Sequence, residues 1–194
     1  MLFFKQERKS SYGDIPKKIV IGKIKDEKGN IIRAGCSKRI DESGRFEIIF
    51  DPLGAGTDTY TLILEGDGYV KQIDNILFGD VYVMAGQSNI EMRVEEIETE
   101  EIKESILGNN DTREYMRLFC CSGKSPTLID ERGDLKGEWV IADREGALKF
   151  SAVGFEMLKT IQQQNILPVG GILIAVGGSS IDSWATGFRC QIIH

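Results

Sequence analysis

The chain has 194 residues, of which 41% are hydrophobic and 28% charged, and its formal net charge is −6 at pH 7. This hydrophobic fraction excludes a disordered chain, and an acidic sequence without a basic stripe argues against a nucleic-acid partner. The most apolar stretch, residues 166–177, contains a proline and glycines and is too short for a membrane span. The N-terminus lacks the apolar core of a signal peptide, so we expect a cytoplasmic location for the chain as given.

Cysteine and histidine are scarce in this sequence. The four cysteines form no C-x-x-C pair, which argues against a zinc or redox site and predicts free thiols in a reducing compartment. Neither a G-x-G-x-x-G nor a P-loop motif occurs, so we expect no bound cofactor or metal. The single histidine is His194, the last residue, and a mechanism that needs a histidine base has no other candidate.

The first 78 residues have the pattern of β-structure. Apolar residues alternate over residues 17–25, in Phe46, Ile48 and Phe50, and in Tyr60, Leu62 and Leu64, and another short strand is predicted over residues 70–77. Turn-forming runs rich in Asp and Gly separate these segments. Five or so short strands at this spacing predict a small antiparallel β-sandwich domain over residues 1–78, with a packing or positioning role.

From residue 79 onward the pattern changes to alternating strands and helices. Continuous apolar runs predict buried strands over residues 81–85, 116–121 and 171–176. Helical spacing covers residues 151–164, and after the first strand a helical face is predicted through Ile90, Val94 and Ile97. This alternation predicts a parallel α/β sheet over residues 79–194, with ligands bound beyond the carboxyl ends of its strands.

A motif with chemical significance follows the first of these strands, Gly86-Gln87-Ser88-Asn89. Gly86 permits a sharp strand-to-helix turn, after which Ser88 lies at a helix start beside backbone N–H groups that stabilise a developing oxyanion. Such a serine is a nucleophile when a base accepts its proton. The same residues also fit an S-x-x-E capping box with Glu91, in which Ser88 is merely an N-cap. The sequence pattern leaves both interpretations open.

A second glycine turn, Gly177-Gly178, follows the last predicted strand. It is either a simple strand-to-helix connection or a turn that leaves a backbone N–H bare toward an anion. Because ligands in such sheets bind beyond the carboxyl ends of the strands, both glycine-bearing turns are predicted on the ligand-binding side.

Three segments of the chain resemble the sialate O-acetylesterase family, which belongs to the wider SGNH group of carbohydrate esterases. Residues 79–92 are similar to its nucleophile block, which reads Gly-Asp-Val-Trp, a short apolar run and then Gly-Gln-Ser-Asn-Met-Glu. Residues 150–155, Phe-Ser-Ala-Val-Gly-Phe, resemble the start of a family helix. Residues 168–184 resemble the family's strand, Gly-Gly turn and following acidic-x-Trp, which here is Asp182 to Trp184.

The resemblance implies an SGNH-type, flavodoxin-like sheet and an esterase that removes O-acetyl groups from sugars, commonly sialic acid or a plant polysaccharide unit. It implies that Ser88 is the nucleophile. It also implies an oxyanion hole formed in part by the N–H of Ser88 and by that of Gly177 or Gly178. The supporting residues of the motif are Gly86, Gln87 and Asn89.

The sequence also departs from the family. The family's Gln-Gly-Glu segment, whose glutamine completes the oxyanion hole, and its Asp-x-x-His segment, which carries the base, do not occur in the 194 residues. We therefore expect an incomplete sheet and a truncated esterase that is weakly active or inactive. The alternative is a non-catalytic carbohydrate-binding or structural protein that retains the scaffold. An open apolar sheet edge also predicts self-association.

Overall fold

The computed structural model describes residues 19–37, 46–66, 68–108, 113–121 and 137–181. The chain divides into two compact units, residues 1–78 and residues 79–194. It is an α/β protein, and the described part of each unit contains one four-stranded sheet. No helix in these ranges is both long enough and apolar enough to span a membrane.

The first unit contains an antiparallel sheet. Its strands are β1 (Ile21–Lys25), β2 (Ile31–Cys36), β3 (Gly56–Gly66) and β4 (Tyr69–Phe78), in the order β2-β1-β3-β4. Alternate residues of a strand point to the same side, so the alternating apolar residues collect on one face. Ile24, Leu62 and Leu64 bury their side chains in one cluster with Ile48.

The connection between β1 and β2 is fixed by Asp26. Its carboxylate accepts hydrogen bonds from the backbone N–H groups of Lys28 and Asn30, at 3.0 and 2.8 Å. The side-chain amide of Asn30 donates a further bond at 2.9 Å, and this bond, ahead of the backbone ones, lowers the pKa of Asp26. Gly29 has a φ of 82°, so a short polar run is enough to reverse the chain.

The predicted fifth strand and second sheet of a sandwich are not found in the described residues of this unit. Residues 46–50 belong to no strand, although Ile48 is buried. A Cβ on Gly22 would lie 2.7 Å from the ring of Phe50, and a Cβ on Gly35 would lie 3.0 Å from Ile48. The two glycines therefore leave room for this segment to lie against the sheet, and its alternating apolar residues pack there without strand pairing.

The second unit contains a mixed sheet. Its strands are β5 (Asp80–Gly86), β6 (Met116–Cys121), β7 (Gly137–Ile141) and β8 (Val169–Ala175), in the order β5-β8-β6-β7. β8 is parallel to both β5 and β6, as the alternation of strands and helices predicts. β7 pairs antiparallel with β6, so the prediction of a wholly parallel sheet is wrong at this edge.

The described residues of this unit include four α-helices. They are α1 (Ser88–Glu91), α2 (Glu100–Leu107), α3 (Arg144–Leu148) and α4 (Ala152–Asn165). The predicted helical face through Ile90, Val94 and Ile97 is wrong as one helix. α1 has a single turn, and a separate 3-10 turn spans Val94–Glu96.

The break after α1 has a tertiary cause. The N–H of Ala152 donates to the carbonyl of Met92 at 2.9 Å, and the N–H of Val94 donates to the carbonyl of Phe150 at 3.0 Å. These bonds tie the chain after α1 to the start of α4. They occupy backbone groups that a continuous helix would use for its own hydrogen bonds.

Helix α4 covers one face of the mixed sheet. Phe155 and Leu158 on α4, and Phe150 just before it, are fully buried in a core that includes Met84 of β5. A Cβ on Gly171 of β8 would lie 2.7 Å from the end of Met84 and 3.2 Å from the ring of Phe150. Glycine at this position therefore allows the helix layer to approach the sheet closely.

Strand β5 forms one edge of the sheet, and among the described strands it pairs with β8 alone. Val81 and Val83, which alternate with the buried Met84, are 57% and 61% exposed. An unpaired edge with exposed β-branched residues can pair with a strand of another chain. Self-association through this edge stays a prediction, and so does the flavodoxin-like arrangement of a larger sheet.

Candidate active site

The two predicted glycine turns lie side by side at the carboxyl ends of β5 and β8. Gly86, the last residue of β5, is paired in register with Ala175 of β8. The N–H of Val176 donates to the Gly86 carbonyl at 3.0 Å, which extends the pairing by one step. The segment that carries Ser88 and the segment that carries Gly177 therefore begin next to each other, although they are far apart in sequence.

Ser88 is exposed and is the first residue of α1. The N-cap of this helix is Gln87, and no side chain caps it, so the capping-box interpretation of Ser88 is not what the structure contains. A Cβ on Gly86 would lie 3.0 Å from Ile90, which shows how closely α1 turns back on the end of β5. Gln87 and Asn89 are exposed on either side of the serine.

Glu91 joins the two turns. The backbone N–H of Gly177 donates a hydrogen bond to its carboxylate oxygen Oε2 at 2.6 Å. A Cβ on Gly177 would lie 2.5 Å from that oxygen and 3.9 Å from the Cα of Ser88. The sequence pattern does not predict this role of Glu91, because the S-x-x-E spacing suggests only a local contact with Ser88.

Gly178 differs from Gly177 in the reason why a side chain is unfavourable there. Its φ is 74°, a conformation that residues with a side chain rarely adopt, and a Cβ there would meet no atom within 4 Å. The turn is closed by Ser179, whose N–H and hydroxyl both donate to the carbonyl of Val176, at 3.3 and 2.7 Å. A Cβ at position 177 would thus displace the end of the Glu91 side chain, whereas a side chain at position 178 would strain the backbone.

The Phe-Ser-Ala-Val-Gly segment at the start of α4 is hydrogen-bonded to the chain that follows α1. Ser151 is fully buried, and its hydroxyl accepts a hydrogen bond from the N–H of Gly154 at 3.1 Å, so this serine is the N-cap of α4. The same segment forms the two backbone bonds that end α1. Its role in the described structure is to hold the chain that follows Ser88.

The cysteines near the sheet are poor nucleophiles. Burial raises the pKa of the Cys120 thiol, and burial also raises the pKa of Cys121. Both thiols are therefore protonated at neutral pH, whereas a reactive cysteine has a lowered pKa.

Several residues of the sequence hypothesis lie outside the described ranges. They are Asp182, Trp184 and His194. The described residues contain no histidine, and in them no three His, Cys, Asp or Glu side chains are grouped as a metal site would need. The described site thus consists of a serine, a glutamate and two glycines, without a placed base.

Comparison with known proteins identifies a structural neighbour. This neighbour is XAC1771 from Xanthomonas citri, whose crystal structure is described as that of a novel carbohydrate acetylesterase. The TM-score is 0.73 at 24% sequence identity, over 93% of this chain and 39% of the neighbour's chain. No protein-family model matches the sequence, and no curated protein matches it significantly.

The similarity to XAC1771 shows a shared fold. At 24% identity it says nothing by itself about the activity of this chain, and the chain spans about two fifths of the neighbour's length. The two-sheet α/β architecture therefore corresponds to part of the fold of a larger protein. What chemistry the candidate site performs has to be argued from its residues.

Proposed function

We propose that this chain carries the serine nucleophile of an SGNH-type carbohydrate esterase, similar to sialate O-acetylesterases, and that Ser88 attacks O-acetyl groups on sugars. The observation that carries the proposal is the exposed Ser88 at a strand-to-helix junction with the Gly177 turn beside it. The structural neighbour XAC1771 is described as a carbohydrate acetylesterase, which supports the same substrate class.

The chemistry is an acyl transfer in two stages. The Oγ of Ser88 bonds to the carbonyl carbon of the acetyl ester while its proton passes to a base, and the carbonyl oxygen becomes an oxyanion. Backbone N–H donors stabilise that charge, and removing one such donor typically costs about 10²–10³-fold in kcat. The intermediate then breaks the bond between the acyl carbon and the sugar oxygen, which takes the proton back from the base and leaves as a hydroxyl. Water hydrolyses the acetyl ester on Ser88, which yields acetate and restores the serine hydroxyl.

The proton of Ser88 needs a base. The sequence has one histidine, His194, and the family's Asp-x-x-His segment does not occur in it. General-base assistance contributes about 10²–10⁴-fold to a typical rate. We therefore propose slow turnover for the chain as given, in which covalent labelling of Ser88 is a more sensitive readout than hydrolysis.

The proposal is tested by labelling the purified chain with a fluorophosphonate and locating the adduct by peptide mass spectrometry. We expect the adduct on Ser88, its loss in Ser88→Ala, and full retention in Ser105→Ala, which removes an exposed hydroxyl from α2. Hydrolysis of p-nitrophenyl acetate and of an O-acetylated sugar is measured on the same three proteins. Because Ser88 caps nothing in the structure, the alanine variant keeps its fold. An adduct elsewhere, or equal hydrolysis by Ser88→Ala, contradicts the proposal.

One observation favours the alternative of a non-catalytic carbohydrate-binding protein. The Glu91 carboxylate lies on the Gly177 amide, where a negative group opposes an oxyanion. This alternative predicts that an O-acetylated sugar binds equally to the parent and to Ser88→Ala, while neither protein is labelled. Titration of the sugar into both proteins, followed by calorimetry, separates the two functions.

A further inference from the structure

The Glu91 carboxylate binds the backbone amide of Gly177, which lies beside Ser88 and is one of two candidate oxyanion donors. It lies at the end of α1, and its carboxylate accepts the Gly177 N–H at 2.6 Å across 86 residues of sequence. A charged acceptor at this distance makes a strong hydrogen bond. The bond is therefore a structural link between the turn after β5 and the turn after β8.

A single backbone N–H has one hydrogen to donate, so a Gly177 amide that binds the Glu91 carboxylate is a weak donor to an oxyanion. Gly178 has the adjacent amide. Among the residues that the structure describes, none accepts a hydrogen bond from the Gly178 N–H. Its φ of 74° is a backbone conformation that favours glycine.

We propose that Glu91 is a positioning residue, which takes up the Gly177 amide, fixes the turn after β8 and leaves the Gly178 N–H as the oxyanion donor that works with the Ser88 N–H. This inference rests on the proposed function and selects between two glycines that the sequence alone cannot distinguish. Glu91 does not touch the substrate; it acts through the backbone of Gly177.

The first test detects the hydrogen bond between Gly177 and Glu91 by NMR and does not depend on enzyme turnover. In a ¹⁵N-labelled sample of the full chain, we expect the Gly177 amide proton far downfield and slow to exchange. Glu91→Ala should move it upfield and speed its exchange, and Glu91→Gln should produce an intermediate change, because an amide oxygen still accepts. Glu98→Ala, which removes another exposed glutamate, should leave Gly177 unchanged. If Gly177 does not respond to Glu91→Ala, the positioning role is wrong.

The second test identifies the oxyanion donor. Methylboronic acid adds to an active serine and places a negative oxygen where the oxyanion forms. We expect its addition to shift the amides of Ser88 and Gly178 but to leave Gly177 nearly unchanged. A large shift of Gly177 instead of Gly178 overturns the donor assignment.

The third test measures the catalytic consequence. A displacement of about 1 Å at a catalytic group can cost about 10²-fold in rate. We expect Glu91→Ala to lower kcat by about that factor with little change in KM, and Glu91→Gln to recover part of the loss. Equal effects on the two variants indicate a merely steric role and contradict the proposal.

The outcomes separate this inference from the proposed function. If the boronic acid forms no adduct and Ser88 is not labelled, the proposed function is wrong and the donor assignment is lost with it. The response of the Gly177 amide to Glu91→Ala still decides the link between the two turns in that case. If Ser88 is labelled but the Gly177 amide signal does not change in Glu91→Ala, the proposed function is supported and the inference is wrong.

Discussion

In the two sheets of this chain, carboxylate side chains accept hydrogen bonds from residues at very different separations along the sequence. In the antiparallel sheet, the Asp26 carboxylate binds Lys28 and Asn30, which are two and four residues away. In the mixed sheet, the Glu91 carboxylate binds Gly177, which is 86 residues away. Antiparallel neighbours can be joined by a tight turn, whereas parallel strands require a long crossover and end at the same edge. Distant segments therefore meet at that edge, and the candidate site lies there.

The largest expected effect compares the cores of the two units. Phe155 is fully buried beneath the mixed sheet, and Leu62 is fully buried in the antiparallel unit. Truncating such residues to alanine costs about 3–5 kcal/mol for phenylalanine and about 2–5 kcal/mol for leucine. We expect Phe155→Ala to reduce hydrogen-exchange protection in β5, β6 and β8, and Leu62→Ala to reduce it in β1, β3 and β4. Equal loss in both sheets from either variant would contradict a division into two units.

A smaller effect is expected from alanine substitutions at two glycines that both have a positive φ. Gly68 in the first unit has a φ of 79° and Gly178 in the second has a φ of 74°, and a Cβ meets nothing within 4 Å at either. Alanine at each should cost about 1–2 kcal/mol from the left-handed conformation alone. We expect equal shifts in urea midpoint, but a loss of Ser88 labelling rate only in Gly178→Ala. Similar labelling rates in the two variants would remove Gly178 from the site.

The smallest effect concerns the Asp26 turn and pH. The hydrogen bond from the Asn30 side chain lowers the pKa of Asp26 below its ordinary value of 3.8. Its contribution to stability is therefore fully present above pH 3.8 and is lost as the pH falls through the lowered value. We expect Asp26→Ala to reduce the difference in urea midpoint between pH 6 and pH 3, with Asp58→Ala as the exposed control. An unchanged difference would show that the turn does not stabilise the sheet.

Much of the mixed sheet follows from local patterns in the sequence. The apolar runs predict β5, β6 and β8 to within about two residues, and the helical spacing over residues 151–164 predicts α4 to within one. These elements are buried, so their composition carries a clear signal. The placement of the Ser88 and Gly177 turns at the same edge of the sheet also follows from parallel strand direction. Their direct contact requires β5 and β8 to be neighbours, and this strand order comes from the structure.

The remaining features depend on contacts that no local pattern encodes. All five residues of β7 are exposed, so this edge strand lacks the alternation of buried apolar and exposed polar residues that predicts a strand. The break after α1 depends on backbone bonds to the start of α4, and the packing of residues 46–50 depends on glycines in β1 and β2. The hydrogen bond between Glu91 and Gly177 joins two segments whose sequences suggest only local turns.

The close approach of Glu91 to Gly177 constrains how the two positions can change during evolution. A side chain at position 177 would displace the carboxylate oxygen, which lies 2.5 Å from where its Cβ would be. A shorter acid at position 91 would withdraw that oxygen by one methylene and open the space. We therefore expect Gly177→Ala to displace the Glu91 carboxylate rather than to unfold the chain, and Glu91→Asp to relieve the contact. A substitution at either position thus changes the surroundings of the other, although 85 residues separate them in the chain.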